Sequence, residues 1–585
     1  MYAATTTATR AVSSTVVTPS SASPFRVAVI GGGITGATVA SKLARPSVNV
    51  DVFDQGRRGV GGRTSHRVVT QDTKLNQPEL RFDHGCQFFR ADTPTVRGMV
   101  NEWIEAGFVE EWKGKFVSVP AQEDGKTGRQ EDDSSFFGFP SQPPFFVGVG
   151  GMHSVTRGLL DNDQSSFITV HVGQRVSGMT RNEPKIIKTN ETLGASAPKW
   201  TLFGTTGEAA FHDTDEKKAK QASHMILGAQ CYDAVVLTDI SSTSFSSWHR
   251  ASAGVPEEFA NRVKSRVKCR VPLFTAMVAF ESRLPIDADA INFPDDNTLW
   301  FAARNNSKPG FDSAFGGNKD ENGLDGNEWD CWTLVSTPEF AIEKIQDTPM
   351  QDPETGAFIP QHPDYLTTVP GPELEKAFRR FVQERSSRNG RQTDHNDSLP
   401  KTVYLNAQRW GSALPAARHE PSDAVKTLSG VVYEPQRSRL APTRKETLDQ
   451  ESFVSDDQLM LFQAGDTVSS YTPGFESAVL SAIELVQHLQ GSSHMNIIHL
   501  DCTDRNVLVL FSSGNVSGSR CCDAASKSGL GLCWLRFCPP IQAFFSKVLG
   551  FLAVFLCRIS KLLKSQPFAN VTSLFDLGWC FCGHN

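Results

Sequence analysis

Arg26-Val27-Ala28-Val29-Ile30-Gly31-Gly32-Gly33-Ile34-Thr35-Gly36 is the stretch that decides the fold. Its apolar run reads as a short buried strand that ends on glycine. From Ile34 to Leu43 apolar residues then recur at helical spacing, and Val48 to Phe53 forms a second strand ending on Asp54. Strand, helix and strand in about thirty residues make a βαβ unit. Gly31, Gly33 and Gly36 supply G-x-G-x-x-G at its first turn. The first glycine permits the turn, the second lets backbone approach a pyrophosphate, and the third lets the helix pack closely on the sheet. Phosphates then rest on the first turn, Ile34 and Thr35, where free amides and the helix dipole favour anions. Asp54, eighteen residues after Gly36, is placed to accept hydrogen bonds from ribose hydroxyls.

Working outward, Gly61-Gly62-Arg63-Thr64 follows the second strand directly. A second flexible turn carrying a guanidinium can reach the pyrophosphate from its other side, which a nicotinamide dehydrogenase does not need. A third piece lies four hundred residues on: the strand ending Phe462-Gln463-Ala464, then Gly465-Asp466, then a helix opening at Gly474 and Phe475. Asp466 is suited to ribityl hydroxyls, and the helix amides to a flavin carbonyl that gains negative charge on reduction. The three pieces together point to FAD.

Further motifs carry a family resemblance. Phe82-Asp83-His84-Gly85-Cys86-Gln87-Phe88-Phe89 is similar to "DHGAQYF", and Trp300 through Gly310 to "WIARNSSKPG". Val147 to Met152 is similar to "VGxxGM", Trp332 to Phe340 to "WVLHASPEW", and Gln408 through Pro415 to "HRWRYAxP". The chain from about Phe25 to Gln490 thus resembles the flavin monoamine-oxidase superfamily, in its renalase-like branch. Two departures are Leu237-Thr238-Asp239-Ile240 in place of a proline-containing turn, and Ser477 and Ala482 in place of glycines of the terminal helix.

The resemblance implies an α/β fold: a Rossmann-like FAD-binding domain of the glutathione-reductase type and a second, mixed-sheet substrate domain. It also implies non-covalent FAD, contacted by Gly85, Gln87 and the backbone of Val176 as well as by the residues above. The implied chemistry is hydride transfer from a small reduced substrate, such as a dihydronicotinamide isomer, to flavin N5, with oxygen as the acceptor. Wider relatives oxidise amines or desaturate polyenes, and a non-catalytic nucleotide-binding protein is the alternative from another class. The expected layout is a leader at 1–24, an FAD domain from 25–95, 146–245 and 455–490, a substrate domain from 96–145 and 246–454, and a tail at 491–585.

Hydride transfer depends on proximity and orientation more than on a proton shuttle. His84 beside Asp83 is the acid–base candidate, with fixing of the local turn the favoured role. Arg304 and Lys308 either hold a substrate carboxylate or phosphate or belong to a solvated basic loop. Trp300, Trp332 and Trp410 either wall a flat cavity over the flavin or fill the core. Cys86 reads as a buried small hydrophobe rather than a covalent tether. Expected strands include Phe167–Val172, Ala234–Leu237, Phe274–Phe280, Leu299–Ala303, Trp332–Val335 and Gln458–Ala464. Helices are expected at Glu373–Glu384 and Glu476–Leu489, and loops at 122–135, 183–223 and most of 347–400.

The 585 residues exceed the length at which one core stops growing. A net charge of −6 gives no reason to expect nucleic acid as partner. Four cysteines in the first 500 residues suit a reducing, intracellular compartment, cytoplasm or organelle; the other eight crowd the tail. The acid-free, Ser/Thr-rich leader reads as disordered or as a transit peptide to plastid or mitochondrion. The tail is expected to be unfolded, with peripheral membrane contact second and a zinc site last; no metal is assigned to the main body.

Overall fold

The computed structural model describes residues 23–70, 79–119, 136–138, 143–182, 186–189, 192–195, 199–206, 225–229, 231–238, 254–311, 329–345, 348, 361–388, 399–416 and 442–491. The leader to residue 22, the 122–135 insertion and the tail from residue 492, with its three alternatives, lie outside the described residues.

The opening strand β1 (Phe25–Ile30), helix α1 (Ile34–Leu43) and strand β2 (Val48–Asp54) form the βαβ unit. In β1, Val27, Ala28 and Val29 are wholly buried, because helices or sheet-covering segments lie on both faces of a parallel sheet. That sheet has six strands in the order 453–456, 461–464, 234–237, β1, β2, 168–172. All pairings are parallel except the edge hairpin Phe453–Asp456 with Leu461–Ala464. The strand reached from far downstream, Leu461–Ala464, pairs with Ala234–Leu237, whose other neighbour is β1. The fold thus brings the chain's third piece to the first. Helix Phe475–Gly491 packs on α1, burying Val479, Ala482 and Leu485 against Ala37, Val39 and Ala40 in one core. Each such buried Val or Leu stabilises by roughly 1.5–3 kcal/mol.

A second sheet has the order 402–416, 269–280, 330–336, 299–304, 290–292, 116–118. It is antiparallel except for the last pair, which is parallel, and so is mixed. Its far face is covered by helix Pro370–Arg388, whose Leu374, Phe378 and Val382 pack on Phe280 and Trp332.

Three expectations need correction. Within 183–223, residues Ile186–Thr189 and Thr192–Ala195 form a hairpin, and Lys199–Thr206 pairs with Gln174–Asn182. Trp200 and Leu202 are buried there although the flanking sequence is polar, so tertiary packing overrides composition. Of Gln458–Ala464 only Leu461–Ala464 is strand; Gln458 to Met460 lie in the hairpin turn that follows Phe453–Asp456, and Met460 has a φ of 53°. The helix expected at Glu373–Glu384 runs longer, Pro370–Arg388, with Pro363–Thr368 before it. Among the described residues no helix is long and apolar enough to cross a membrane, and no cluster of His, Cys, Asp or Glu is arranged to hold a metal.

Candidate nucleotide site and adjoining face

Gly31 turns the chain with φ 109°, a conformation that side-chain-bearing residues rarely adopt. A Cβ on Gly36 would stand 1.9 Å from the Gly31 carbonyl oxygen, so helix and strand cross at backbone contact. Gly33 opens α1 without a side-chain cap, which leaves first-turn amides at Ile34 and Thr35 for a ligand. A Cβ at Gly33 would meet only the Gly61 oxygen, at 3.8 Å. Asp54, buried at the end of β2, accepts from the Gly32 amide (2.9 Å) and the Gly56 amide (2.6 Å). Burial raises its carboxyl against those two bonds. Each oxygen keeps acceptor capacity for a hydroxyl.

The second turn lies on the first: Gly33 and Gly61 form an isolated parallel bridge, and the Gly61 amide donates to Gly32 O. Gly62 and Thr64 complete the turn, with the Thr64 hydroxyl donating to Gly61 O at 2.6 Å. Arg63 projects from it and binds Asp466 through both terminal nitrogens, at 2.9 and 2.6 Å. Two residues expected on different parts of a cofactor are therefore paired with each other across 403 positions. Gly465 approaches the first turn of α1, where a Cβ would lie 3.6 Å from Thr35 Oγ1. Gly474 opens the terminal helix with φ 146°, and Phe475 stacks on Phe89 at 4.1 Å. Glu476 accepts from the amides of Asp92 and Thr93, tying this helix to the cap of helix Pro94–Glu105. Ser477 Oγ is buried without a hydrogen-bond partner among the described residues. Val176 is buried on strand Gln174–Asn182, which packs beside β2. Where the proline-containing turn was absent, the Thr238 hydroxyl bonds Ile30 O and Gly31 O and so braces the glycine turn.

The Asp83–Gln87 segment is seated on this cradle. The Cys86 amide donates to Arg63 O at 2.7 Å, and a Cβ on Gly85 would stand 2.2 Å from that oxygen. Gln87 Nε2 donates to the Asp83 and Gly85 carbonyls. The His84 carbonyl accepts from Thr275 Oγ1 (2.9 Å) and Trp410 Nε1 (2.7 Å), while its ring stacks on Trp410. Burial, then the charges of Arg67, His66 and Arg58, hold the His84 imidazole down at about 3, so it is neutral near pH 7. Its backbone fixes the turn. Burial and neighbouring Asp83 push the Cys86 thiol up to about 12, and Sγ donates to Phe88 O.

Arg304 and Lys308 do not form a solvated basic loop: both are buried and paired within the chain. Arg304, 4% exposed, lies between Asp330 (3.1 Å) and Asp289 (3.5 Å) and over the Trp332 ring. Lys308 is fully buried on Asp83 (3.0 Å) and Gln87 (3.2 Å). Desolvated cations need fixed partners, and these have them within the chain. Of the three tryptophans, Trp332 is core, Trp300 joins an aromatic cluster at Phe137, and Trp410 stands at the cradle. Sequence reasoning missed Arg67, Tyr404, Asn406 and Gln408. The available signal was the period of two that puts Tyr404, Asn406, Gln408 and Trp410 on one face of a strand.

The geometry of glycine turn, acid and second turn decides the class of this portion. Residues 29–103 match the NAD(P)-binding Rossmann-like domain. Beyond this Rossmann-like domain, similar solved structures include an oxidoreductase from Methanosarcina mazei (10% identity, TM-score 0.40, covering 79% of this chain and 100% of that one). Another is a putrescine oxidase triple mutant redesigned in its cofactor binding (11% identity, TM-score 0.42, 80% of this chain and 99% of that one).

Proposed function

We propose that this chain is an FAD-dependent oxidoreductase acting on a small reduced substrate, of the renalase-like or amine-oxidase kind. One observation carries the reading: the glycine turn after β1, the Gly61–Arg63 turn and the Gly465–Asp466 turn meet in one place. A nicotinamide dinucleotide needs only the first; FAD, with a ribityl chain and flavin beyond its pyrophosphate, would use all three. The donor set fits FAD. Gly31 to Gly36 and the α1 amides would hold the pyrophosphate, Asp54 the ribose and Val176 the adenine side. Asp466, Gly474, Phe475 and the unsatisfied Ser477 hydroxyl would lie toward the ribityl chain and flavin. When bound, FAD supplies acceptance of a hydride equivalent from the substrate. The protein's own part is orientation: neutral His84 and stacked Trp410 form a wall, and the Asp83–Lys308 pair holds that wall in register.

The purified full-length protein should be yellow and release FAD on denaturation. Anaerobic mixing with dihydronicotinamide isomers, then with amines, should bleach the flavin with one class; admitting oxygen should restore the colour. A colourless protein that does not reconstitute with FAD sinks the reading, and a yellow protein that no such compound bleaches favours a non-catalytic nucleotide-binding role.

A further inference from the structure

Strand Thr402–Ala416 turns two characters to its two faces. Ala407 and Arg409 are buried on one side; Tyr404, Asn406, Gln408 and Trp410 alternate with them and are half-buried on the other. Arg67, from strand His66–Val69, lies across this second face. Its guanidinium donates to Asn406 Oδ1 and Gln408 Oε1, both at 3.2 Å, and bonds Tyr404. All three partners are neutral.

Its neighbours are treated differently. Arg63 has Asp466, Lys308 has Asp83, and Arg304 has Asp330. Arg67 has no carboxylate partner among the described residues, and its Nε is buried without a hydrogen-bond partner. Burial lowers this guanidinium and the Arg58 charge adds to the effect, against the opposing influence of Tyr404. Arg67 and Arg58 also help hold His84 neutral, so the place is electropositive. A desolvated cation with only neutral partners is stabilised when a ligand brings the missing anion. The same strand reaches the cradle, since the Ala413 carbonyl accepts from Arg63 at 3.4 Å.

We propose that this face binds the substrate through an anionic group. A carboxylate or phosphate carried on a small planar molecule is engaged by Arg67, with Tyr404, Asn406 and Gln408 around it. Trp410, stacked on His84 at 5.4 Å, forms the flat wall beside the ring that carries it. A guanidinium fork suits both kinds of anion. The inference rests on the FAD reading only in taking this molecule to be the substrate; the anion site itself is read from side chains alone.

The test is calorimetric titration of the full-length protein with benzoate, phenyl phosphate and the neutral benzamide, with flavin content measured in parallel. Either anion should bind at least about tenfold more tightly than benzamide, since a charge-assisted hydrogen bond replaces a neutral one. Arg67→Gln should remove that advantage, Arg67→Lys should keep much of it, and neither should change flavin content. If Arg67→Gln fails to fold, Gln408→Ala should weaken anion binding about threefold while leaving benzamide unaffected. Anion binding that needs Arg67 in a colourless protein would sink the cofactor reading and leave this one standing. Equal binding of anion and amide, no binding of either anion, or an Arg67→Gln protein that holds benzoate as the parent does would overturn it.

Discussion

Arg63 and Arg67 stand four residues apart on the same turn and hairpin, yet the molecule handles them in opposite ways. Arg63 meets a carboxylate brought from 403 residues downstream; Arg67 meets an amide, a second amide and a phenol. The contrast extends to their surroundings. Around the cradle and beneath it, the basic residues Arg63, Lys308 and Arg304 are each matched by a carboxylate within the chain. On the Arg67 face of strand Thr402–Ala416 the guanidinium meets only neutral partners among the described residues, and the proposed ligand supplies the anion. Matched charges hold architecture together, and an unmatched one marks where a ligand belongs.

The sharpest way to break this comparison is to unmatch a charge that is matched. Lys308→Met would leave Asp83, fully buried, with only the Met152 amide at Oδ1 and no cation. The expected loss is about 4 kcal/mol, read as a lower midpoint in urea unfolding. The double variant Lys308→Met with Asp83→Asn should recover part of it. If the single variant is as stable as the parent, the pair is not holding the Asp83 segment to the loop that follows strand Leu299–Arg304.

Next in size is the backbone contact of the cradle. Gly36→Ala forces a Cβ to within 1.9 Å of the Gly31 oxygen, a backbone atom that cannot swing aside. Helix and strand must separate, at about 3 kcal/mol, and flavin content should fall with stability. By contrast Gly98→Ala, on an exposed helix position where a Cβ meets nothing within 4 Å, should leave both unchanged or slightly improved. Equal behaviour of the two variants would show that helix and strand do not cross at backbone contact.

The same contrast explains what was legible beforehand. Gly31, Gly33, Gly36 and Asp54 act through local backbone geometry, which a motif records directly, so cradle and βαβ unit could be read from spacing. The terminal strand and helix could be read too, because Leu461 to Gly491 keeps its apolar pattern. Arg304 and Lys308 could not. Their burial depends on Asp330 and on Asp83, the latter 225 residues away, and no local pattern distinguishes a buried basic residue from a solvated one. Arg67 escaped for the same reason, since Asn406 and Gln408 reach it from about 340 positions on. Strand Lys199–Thr206 was obscured by its polar flanks, and its pairing with Gln174–Asn182 supplies its stability, while Ile186–Thr189 and Thr192–Ala195 pair only with each other.

A third variant sharpens the comparison at the clamp itself. Arg63→Ala leaves the Asp466 carboxylate buried beside the place where a pyrophosphate is expected, turning attraction into repulsion. Because Arg63 is itself 33% exposed, the stability loss should be modest, about 2 kcal/mol, while flavin occupancy falls markedly. Arg63→Lys should restore some occupancy as a point charge without the fork. Unchanged flavin content in Arg63→Ala would remove the clamp assignment and leave only the pairing with Asp466.

The smallest effect concerns two histidines that border the matched region. His66 and His153 stack at 3.5 Å with their planes 19° apart, beside Gly151. Burial, then the charges of His66, Arg157 and Arg81, hold His153 down at about 3, against a hydrogen bond that its ring donates to the Gly151 backbone. Burial also lowers His66, with Arg81 and Arg157 adding to it and Asp83 and Glu79 opposing. His84 is held neutral nearby. For each of these the folded value lies below the unfolded one of about 6.5, so the unfolded chain takes up the proton first as pH falls. Their contribution is therefore complete above about pH 6.5 and is lost progressively toward pH 3. Between pH 7 and 5, before most carboxylates titrate, Tm should drop by about 3 °C. The double variant His66→Phe with His153→Phe, which keeps the stack without the titration, should drop less. A parent Tm that stays level across that interval would mean the folded rings take up protons as readily as the unfolded chain, so that their surroundings do not exclude the charge.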